Sequence, residues 1–362
     1  MKQSVESLLS LIRLGIGNSS RFPSGKINWT TIRDFAAEHA LSAILLDGIE
    51  KLPEKLLPPK EYSLSLIGEV LKGYEYRYQQ YCHEIAELSH FYNSHGLKMM
   101  VLKGYSCAMN WLKPEHRPCG DIDIWLFGDY KRGDELIKRE KGIDVDVSHH
   151  HHTVFIWREF KVENHYDFIN IHRQRSNVEL EKILKELGKD DSQYTDVKGE
   201  RLYIPSPNLH ALFLVKHMIS HFASEGITLR QVIDWGFFVK KFKDKVDWEW
   251  LEDILKKFSM YEMFGIINAI SVEDLGFNTY DFPTIKYNPN TKERVLNDIM
   301  TPEYSRALPH GYFQRIVYKA RRWKSSKWKY KLCYNENMWR IFLNGICLNL
   351  FKPKMGVVDS KL

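Results

Sequence analysis

The stretch from Val101 to Leu126 restricts this chain more than any other. An apolar run ending Val101-Leu102 passes into the turn Lys103-Gly104-Tyr105-Ser106. A second apolar run, Ile122-Asp123-Ile124-Trp125-Leu126, starts directly after Gly120-Asp121. Side chains alternate along a strand, so Asp121 and Asp123 fall on one face while Ile122, Ile124 and Leu126 fall on the other, toward a core. Two carboxylates fixed on one strand face make a seat for divalent cations. A glycine turn close by lets a phosphate approach the backbone. Together these features point to metal-dependent phosphoryl or nucleotidyl transfer.

The surrounding pattern gives the fold class, α+β. Residues 1–95 read as helical: Leu8, Leu9, Ile12 and Leu14 make one amphipathic piece. Ile32, Phe35, Ala36 and His39 make another, capped by Asn28 or Thr30. Tyr81, Ile85, Leu88 and Tyr92 make a third that Gly96 stops. Residues 96–200 form an α/β core. Strands are predicted at Leu97–Leu102, Ile122–Phe127 and Ile143–Val147, with a hairpin over Val154–Ile156 and Phe160–Ile171. Helices are predicted at Tyr105–Trp111 and Tyr130–Arg139. Residues 201–275 are helical again, with stripes at Leu209/Leu212/Val215/Ile219, Leu229/Val232/Ile233/Phe237 and Trp248/Leu251/Ile254. Residues 276–312, rich in Pro, Asn, Asp and Gly, read as a long connection or irregular lid. Residues 313–351 read as basic, aromatic and helical, closing a fourth unit, 276–362.

At 362 residues the chain supports several cores, and a net charge of +6 suits an anionic ligand. Five cysteines, odd in number and without C-x-x-C spacing, read as reduced thiols. No apolar run approaches the ~20 residues that span a bilayer. The best candidate, Met338–Phe351, is short and carries Arg340. The start of the chain, with Glu6 and Arg13, is unlike a secretory signal. A cytoplasmic protein is expected.

Several constellations carry chemistry. Asp121 and Asp123 read as ligands for two Mg²⁺ (or Mn²⁺) ions that hold phosphates and activate an attacking hydroxyl. On Lys161-Val162-Glu163-Asn164-His165 the alternation puts Glu163 and His165 on one face. Glu163 supplies the third carboxylate, completing the metal site and orienting or deprotonating the acceptor, and His165 is a candidate substrate contact. Lys103, Gly104 and Ser106, at the mouth of a predicted helix, and Arg117 read as the phosphate-binding group. Asp144 and Asp146 alternate likewise, but without a glycine turn they read as a solvated face. The run His149–His152, near His165 and His172, offers nitrogen ligands to Zn²⁺ or another transition metal. No standard ligand spacing is present, so it reads first as a loop or strand start beside the active face. His217 and His221 lie one helical turn apart and read as packing or cleft-lining groups. Arg230 and Asp234 form an i, i+4 pair, with Arg230 a second candidate for phosphate or substrate. Between Arg315 and Lys331 stand eight basic and no acidic residues, interleaved with Trp323, Trp328 and Tyr330. Such a segment contacts RNA or an anionic membrane, or packs its aromatics on the body.

The order Leu102-Lys103-Gly104, Arg117, Gly120-Asp121-Ile122-Asp123, then Val162-Glu163-Asn164-His165, resembles an uncharacterised nucleotidyltransferase family of the DNA polymerase β-type superfamily. Pro205-Ser206-Pro207, His217, His221 and Leu229-Arg230-Gln231-Val232-Ile233-Asp234 resemble its helical part, and the likeness covers most of residues 80–260. The resemblance implies a minimal nucleotidyltransferase core, a small mixed sheet with helices, flanked by N-terminal and C-terminal helical regions. It implies Mg²⁺-dependent transfer of a nucleoside monophosphate from an NTP such as ATP to a hydroxyl, with release of pyrophosphate. By the same resemblance Asp121 and Asp123 are metal ligands, Glu163 is the third acid and Gly104 marks the phosphate turn. The usual Gly-Ser is Gly104-Tyr105 here, with Ser106 one place later. The acceptor stays open among a small molecule, a sugar, a protein hydroxyl and an RNA end. The alternative reading is a non-catalytic nucleotide-binding or RNA/membrane-interacting scaffold on the same fold. A hydrolase built on the histidines is a third.

Overall fold

In the computed structural model, which describes residues 2–172, 174, 176–302 and 310–334, Asp123 lies on an inner strand of a mixed six-stranded sheet. The strands are β1 (Met100–Val101), β2 (Ile122–Trp125), β3 (His152–Trp157), β4 (Phe160–His165), β5 (Tyr194–Val197) and β6 (Glu200–Tyr203), in the order β3-β4-β2-β1-β6-β5. β2 runs antiparallel to β1 and parallel to β4, with Asp123 opposite Glu163 and Trp125 opposite His165. β6 joins β1 in parallel, and the hairpins β3–β4 and β5–β6 form the two edges.

Helices surround the sheet. Before it come α1 (Lys2–Gly15), α2 (Trp29–Glu38), α3 (Ser42–Ile49), α4 (Lys60–Val70) and α5 (Arg77–Ser94). Between strands lie α6 (Tyr105–Ala108), α7 (Tyr130–Leu136) and α8 (Ser176–Leu187). After the sheet come α9 (Pro207–Ser224), α10 (Leu229–Phe242), α11 (Trp248–Lys257), α12 (Tyr261–Ala269), α13 (Pro289–Met300), α14 (Tyr312–Ser325) and α15 (Lys327–Cys333). Local signals set several starts. Asn28 caps α2 by accepting from the Thr31 amide, Asp247 caps α11 by accepting from the Trp250 amide, and Thr228 with Gln231 closes a capping box on α10. Among the described residues no helix is long and apolar enough to cross a membrane.

Two apolar clusters hold these layers. Tyr81, Ile85, Leu88 and Tyr92 of α5 meet Val101, Ile122, Ile124, Phe160 and Val162 on one face of the sheet. Met100 and Trp125, on the other face, belong to a larger cluster that joins Leu8 and Ile44 of the first helices to Leu212, Trp235 and Phe264 of the later ones. The helical regions before and after the sheet therefore share one core. The Trp125 ring lies 4.5 Å from Phe168 and donates to the Gly188 carbonyl. Alternation on β2 sends Ile122 and Ile124 toward α5. Asp123 shares the Trp125 face, toward the later helices.

Some elements depart from the sequence pattern. Residues 143–147 make only an isolated bridge, Asp146 to Val154, and Val147 stays exposed. The alternation there has no partner strand beyond β3. The helix after Gly104 ends at Ala108 rather than Trp111. The region 276–312, expected as irregular, contains α13, which Asn288 caps and Pro289 starts. The hairpin β5–β6 was not anticipated, although Lys198-Gly199, both with positive φ, sits between alternating residues as a two-residue hairpin turn. Helix α8 has no counterpart in the sequence pattern, and α12 falls within the helical region 201–275. Met338–Phe351 lies outside the described residues.

His210 on α9 is buried, with its ring 5.1 Å from Phe238 and its Nε2 3.7 Å from Cys107 Sγ. Burial pushes its pKa down to about 3. The unfolded chain takes up this proton near pH 6.5 and the folded chain does not. Stability therefore falls as pH drops from about 6.5 toward 3. We expect the melting temperature to decline over that interval, and His210→Gln to flatten the decline. An unchanged slope in the variant would show that His210 does not contribute.

Candidate active site

The parallel register of β2 and β4 is what assembles the site. Val162 and Phe160 are spent on the core beneath α5, so Lys161, Glu163 and His165 emerge on the opposite face, beside Asp123. One possible ligand atom from each of Asp123, Glu163 and His165 lies within 4.8 Å of the other two. His165 Nε2 stands 3.2 Å from Asp123 Oδ1 and 3.8 Å from Glu163 Oε2. Asp121, one residue before β2, is not in that group but is tied to it. Lys161 Nζ lies 2.9 Å from both Asp121 Oδ2 and Glu163 Oε1.

Two residues after β1 comes Lys103, whose ammonium pairs with Asp123 Oδ1 at 2.8 Å and meets His217 Nε2 of α9 at 3.1 Å. The Gly104 turn follows, with φ +61°. A Cβ there would collide with the Tyr81 hydroxyl, which itself donates to the Asp121 carbonyl at 3.1 Å. Glycine is needed for both the conformation and the close approach. Ser106 is buried, and its hydroxyl turns back to the Lys103 carbonyl. It does not line the cleft described below.

Burial opposes ionisation of Asp123, but the Lys103 ammonium and the hydrogen bond from His165 outweigh it and hold the carboxyl below the usual carboxylate range. Burial and Asp123 push Glu163 up, yet His152, Lys103 and His165 bring it below its ordinary value. Asp121 goes the other way. Burial raises it, Lys161 offsets this only in part, and Glu163 and Asp123 add to the rise. Burial works against charge on Lys161 as well, but Glu163 and Asp121 more than compensate and raise it. Of these charged groups, Asp121, Asp123 and Lys103 line a cleft of about 290 Å³, together with Gly104, His217 and Arg230.

Arg117 also borders this cleft, but its guanidinium is committed. Nε and Nη2 donate to the two oxygens of Asp234 at 2.8 and 3.0 Å, and Trp111 donates to the same carboxylate at 2.8 Å. All three side chains are buried. His116, one residue earlier, sits between Asp47 at 2.7 Å and Glu75 at 3.2 Å. The loop carrying these residues is clamped to the first helices on one side and to α10 on the other. Arg230 reaches Asp234 at only 3.6 Å and is 27% exposed, which leaves it the more accessible guanidinium in the cleft.

A family model described as an uncharacterised nucleotidyltransferase matches residues 25–271. The chain belongs to that nucleotidyltransferase family. No curated protein and no solved structure matches it. Nucleotidyltransferases bind an NTP and in general use a divalent metal ion. Among the described residues two groups have the chemistry to hold one, Asp123–Glu163–His165 and His151–His152–His165. This face contains contacts that the sequence does not signal. Lys161 precedes Glu163 by two and so had to share its face. The Arg117–Asp234 pair spans 117 positions and had no local signal. His217 was read as a cleft-lining group, but its contact with Lys103 depends on how α9 crosses the sheet.

Removing one partner of a buried, forked ion pair strands the other charge. We expect Asp234→Ala to cost about 3–5 kcal/mol in urea denaturation. The double variant Arg117→Met, Asp234→Leu should recover much of that loss. A single-variant loss below about 1 kcal/mol, the scale of an exposed pair, would contradict the clamp.

Proposed function

We propose that this protein transfers a nucleoside monophosphate from an NTP to a hydroxyl of an acceptor, releasing pyrophosphate. The carrying observation is the register of Asp123 against Glu163 on adjacent parallel strands, with Asp121 linked to both through Lys161. The residues fit a divalent cation. Three carboxylates share one face, and an ammonium already lies between Asp121 and Glu163, as a cation between acids requires. Asp121, Asp123 and Glu163 would hold Mg²⁺ or Mn²⁺. The ion, when bound, neutralises phosphate charge and lowers the pKa of a coordinated hydroxyl.

In this reading the chain's own groups divide the work. Arg230, exposed to the cleft, takes phosphate charge together with Lys103, while Arg117 holds the loop rather than the ligand. Gly104 gives a phosphate room to approach the backbone. Ser106 is spent on the Lys103 carbonyl and plays no part. Glu163 orients the acceptor hydroxyl and takes its proton, and His165 holds Asp123 and Glu163 in place. The acceptor class is open: a small molecule, a sugar, a protein or an RNA end. The basic segment docks through Trp328, which sits against Phe222 and under Arg294, and through Lys329, which pairs with Asp298. Arg321, Lys324, Lys327 and Lys331 stay exposed and would meet RNA or an anionic surface. The four described cysteines are free thiols, in keeping with a cytoplasmic setting.

The alternative, a nucleotide-binding scaffold without chemistry, has one observation in its favour: each carboxylate of the face is already paired with lysine. Product formation separates the two. Incubation with each labelled NTP, Mg²⁺ and cell extract should label an acceptor. Glu163→Gln should lower the labelling about 10²–10⁴-fold, the contribution of a positioned base. Absence of labelled product from the native protein with all four NTPs, alongside measurable NTP binding, would favour the scaffold.

A further inference from the structure

Beside the acidic face lies a second cluster, whose His151 and His152 the nucleotidyl-transfer reading does not use and whose His165 and Glu163 it shares. The bend before β3 brings His151 and His152 onto the end of β4, where His152 stands opposite His165. The rings of His151 and His152 lie 4.4 Å apart, those of His152 and His165 5.2 Å, and those of His151 and His165 5.5 Å. One ligand nitrogen from each falls within 4.8 Å of the other two. His152 is only 8% exposed, and its Nδ1 has no hydrogen-bond partner among the described residues. Nδ1 of His151 is likewise buried and unpartnered. Such atoms are costly to bury unless something binds them. His165 is already oriented. Its Nδ1 donates to the Asp167 carbonyl at 3.2 Å, so a metal ion would take the Nε2 position whose proton now faces Asp123 Oδ1 at 3.2 Å. A backbone carbonyl on the far nitrogen is the usual support of a metal-bound histidine. Glu163 Oε2 closes the group, 3.7 Å from His152 Nδ1 and 3.8 Å from His165 Nε2. Donors ~2.0–2.1 Å from a tetrahedral ion stand roughly 3.4 Å from one another, so these spacings need only small side-chain shifts.

We propose that His151, His152 and His165, with Glu163 as the fourth donor, form a transition-metal site of the Zn²⁺ class. Three imidazoles select a borderline ion such as Zn²⁺ or Co²⁺ over Mg²⁺, which prefers oxygen. None of the three histidines lines the cleft that holds Lys103 and Arg230. The site is therefore separate from the phosphate side and touches the acidic face only through Glu163 and His165. His149, paired with Asp146, stands outside it.

The test uses untagged full-length protein stripped with a chelator and titrated with Co²⁺. One equivalent should bind with the visible absorption of a tetrahedral site, and Zn²⁺ should displace it. X-ray absorption of the Zn²⁺-loaded native protein, which needs no variant, should show imidazole scattering around the ion. His151→Ala and His152→Ala should each weaken Co²⁺ binding by at least about tenfold. An oxygen-only shell would overturn the assignment. So would the lack of stoichiometric binding. Co²⁺ binding that survives both histidine substitutions but is lost in Asp121→Ala would put the ion among the carboxylates and overturn it equally. NTP binding is not part of this readout, so either proposal can fail alone.

Discussion

The pairing of β2 with β4 is the constraint on which the site depends. Parallel strands in this register set Asp123 beside Glu163 and Trp125 beside His165. The apolar residues between them, Ile122, Ile124 and Val162, bind the strands to α5. Each buried apolar side chain thus fixes the direction of its polar neighbours. A slip of one residue would turn the carboxylates into the core and the isoleucines into the cleft. The acidic cluster is costly to assemble, because like charges close together in partial burial repel. Lys103, Lys161 and His165 offset that repulsion, and the packing beneath holds the geometry that repulsion would otherwise open.

Around this centre the chain is braced by contacts distant in sequence. Tyr81 reaches from α5 to the Asp121 carbonyl and fills the space that a side chain at Gly104 would need. Arg117 and Asp234 tie the loop before β2 to α10, and His116 ties it to α3 through Asp47. Lys103 and His217 connect β1 to α9. The cleft is therefore bounded by the sheet on one side and by helices of the larger core on the other. Those helices are themselves joined to the first residues of the chain. The site is a property of both cores.

The amphipathic helices and the strand carrying Asp121 and Asp123 were legible in the sequence, because each rests on a local period that burial enforces. The shared face of Glu163 and His165 was legible for the same reason. What was not legible depends on partners far away. Arg117 reads as a phosphate ligand from its place near the aspartates, yet a buried Asp234 takes its guanidinium. Ser106 reads as a phosphate donor after a glycine turn, yet it turns inward within a four-residue helix. The alternation at residues 143–147 promised a strand, but pairing requires a neighbour, and only one bridge forms. The four consecutive histidines gave no ligand spacing, since the convergence of His151 and His152 with His165 comes from hairpin register rather than from sequence distance.

In the function proposed above, the face of Asp121, Asp123 and Glu163 seats a metal-bound nucleotide. Calorimetric titration with a non-hydrolysable NTP analogue, with and without Mg²⁺, addresses it directly. We expect saturable binding that requires Mg²⁺ and disappears in Asp123→Asn while the variant keeps its fold. Binding that is indifferent to both Mg²⁺ and Asp123, or no binding by the native protein, would contradict it.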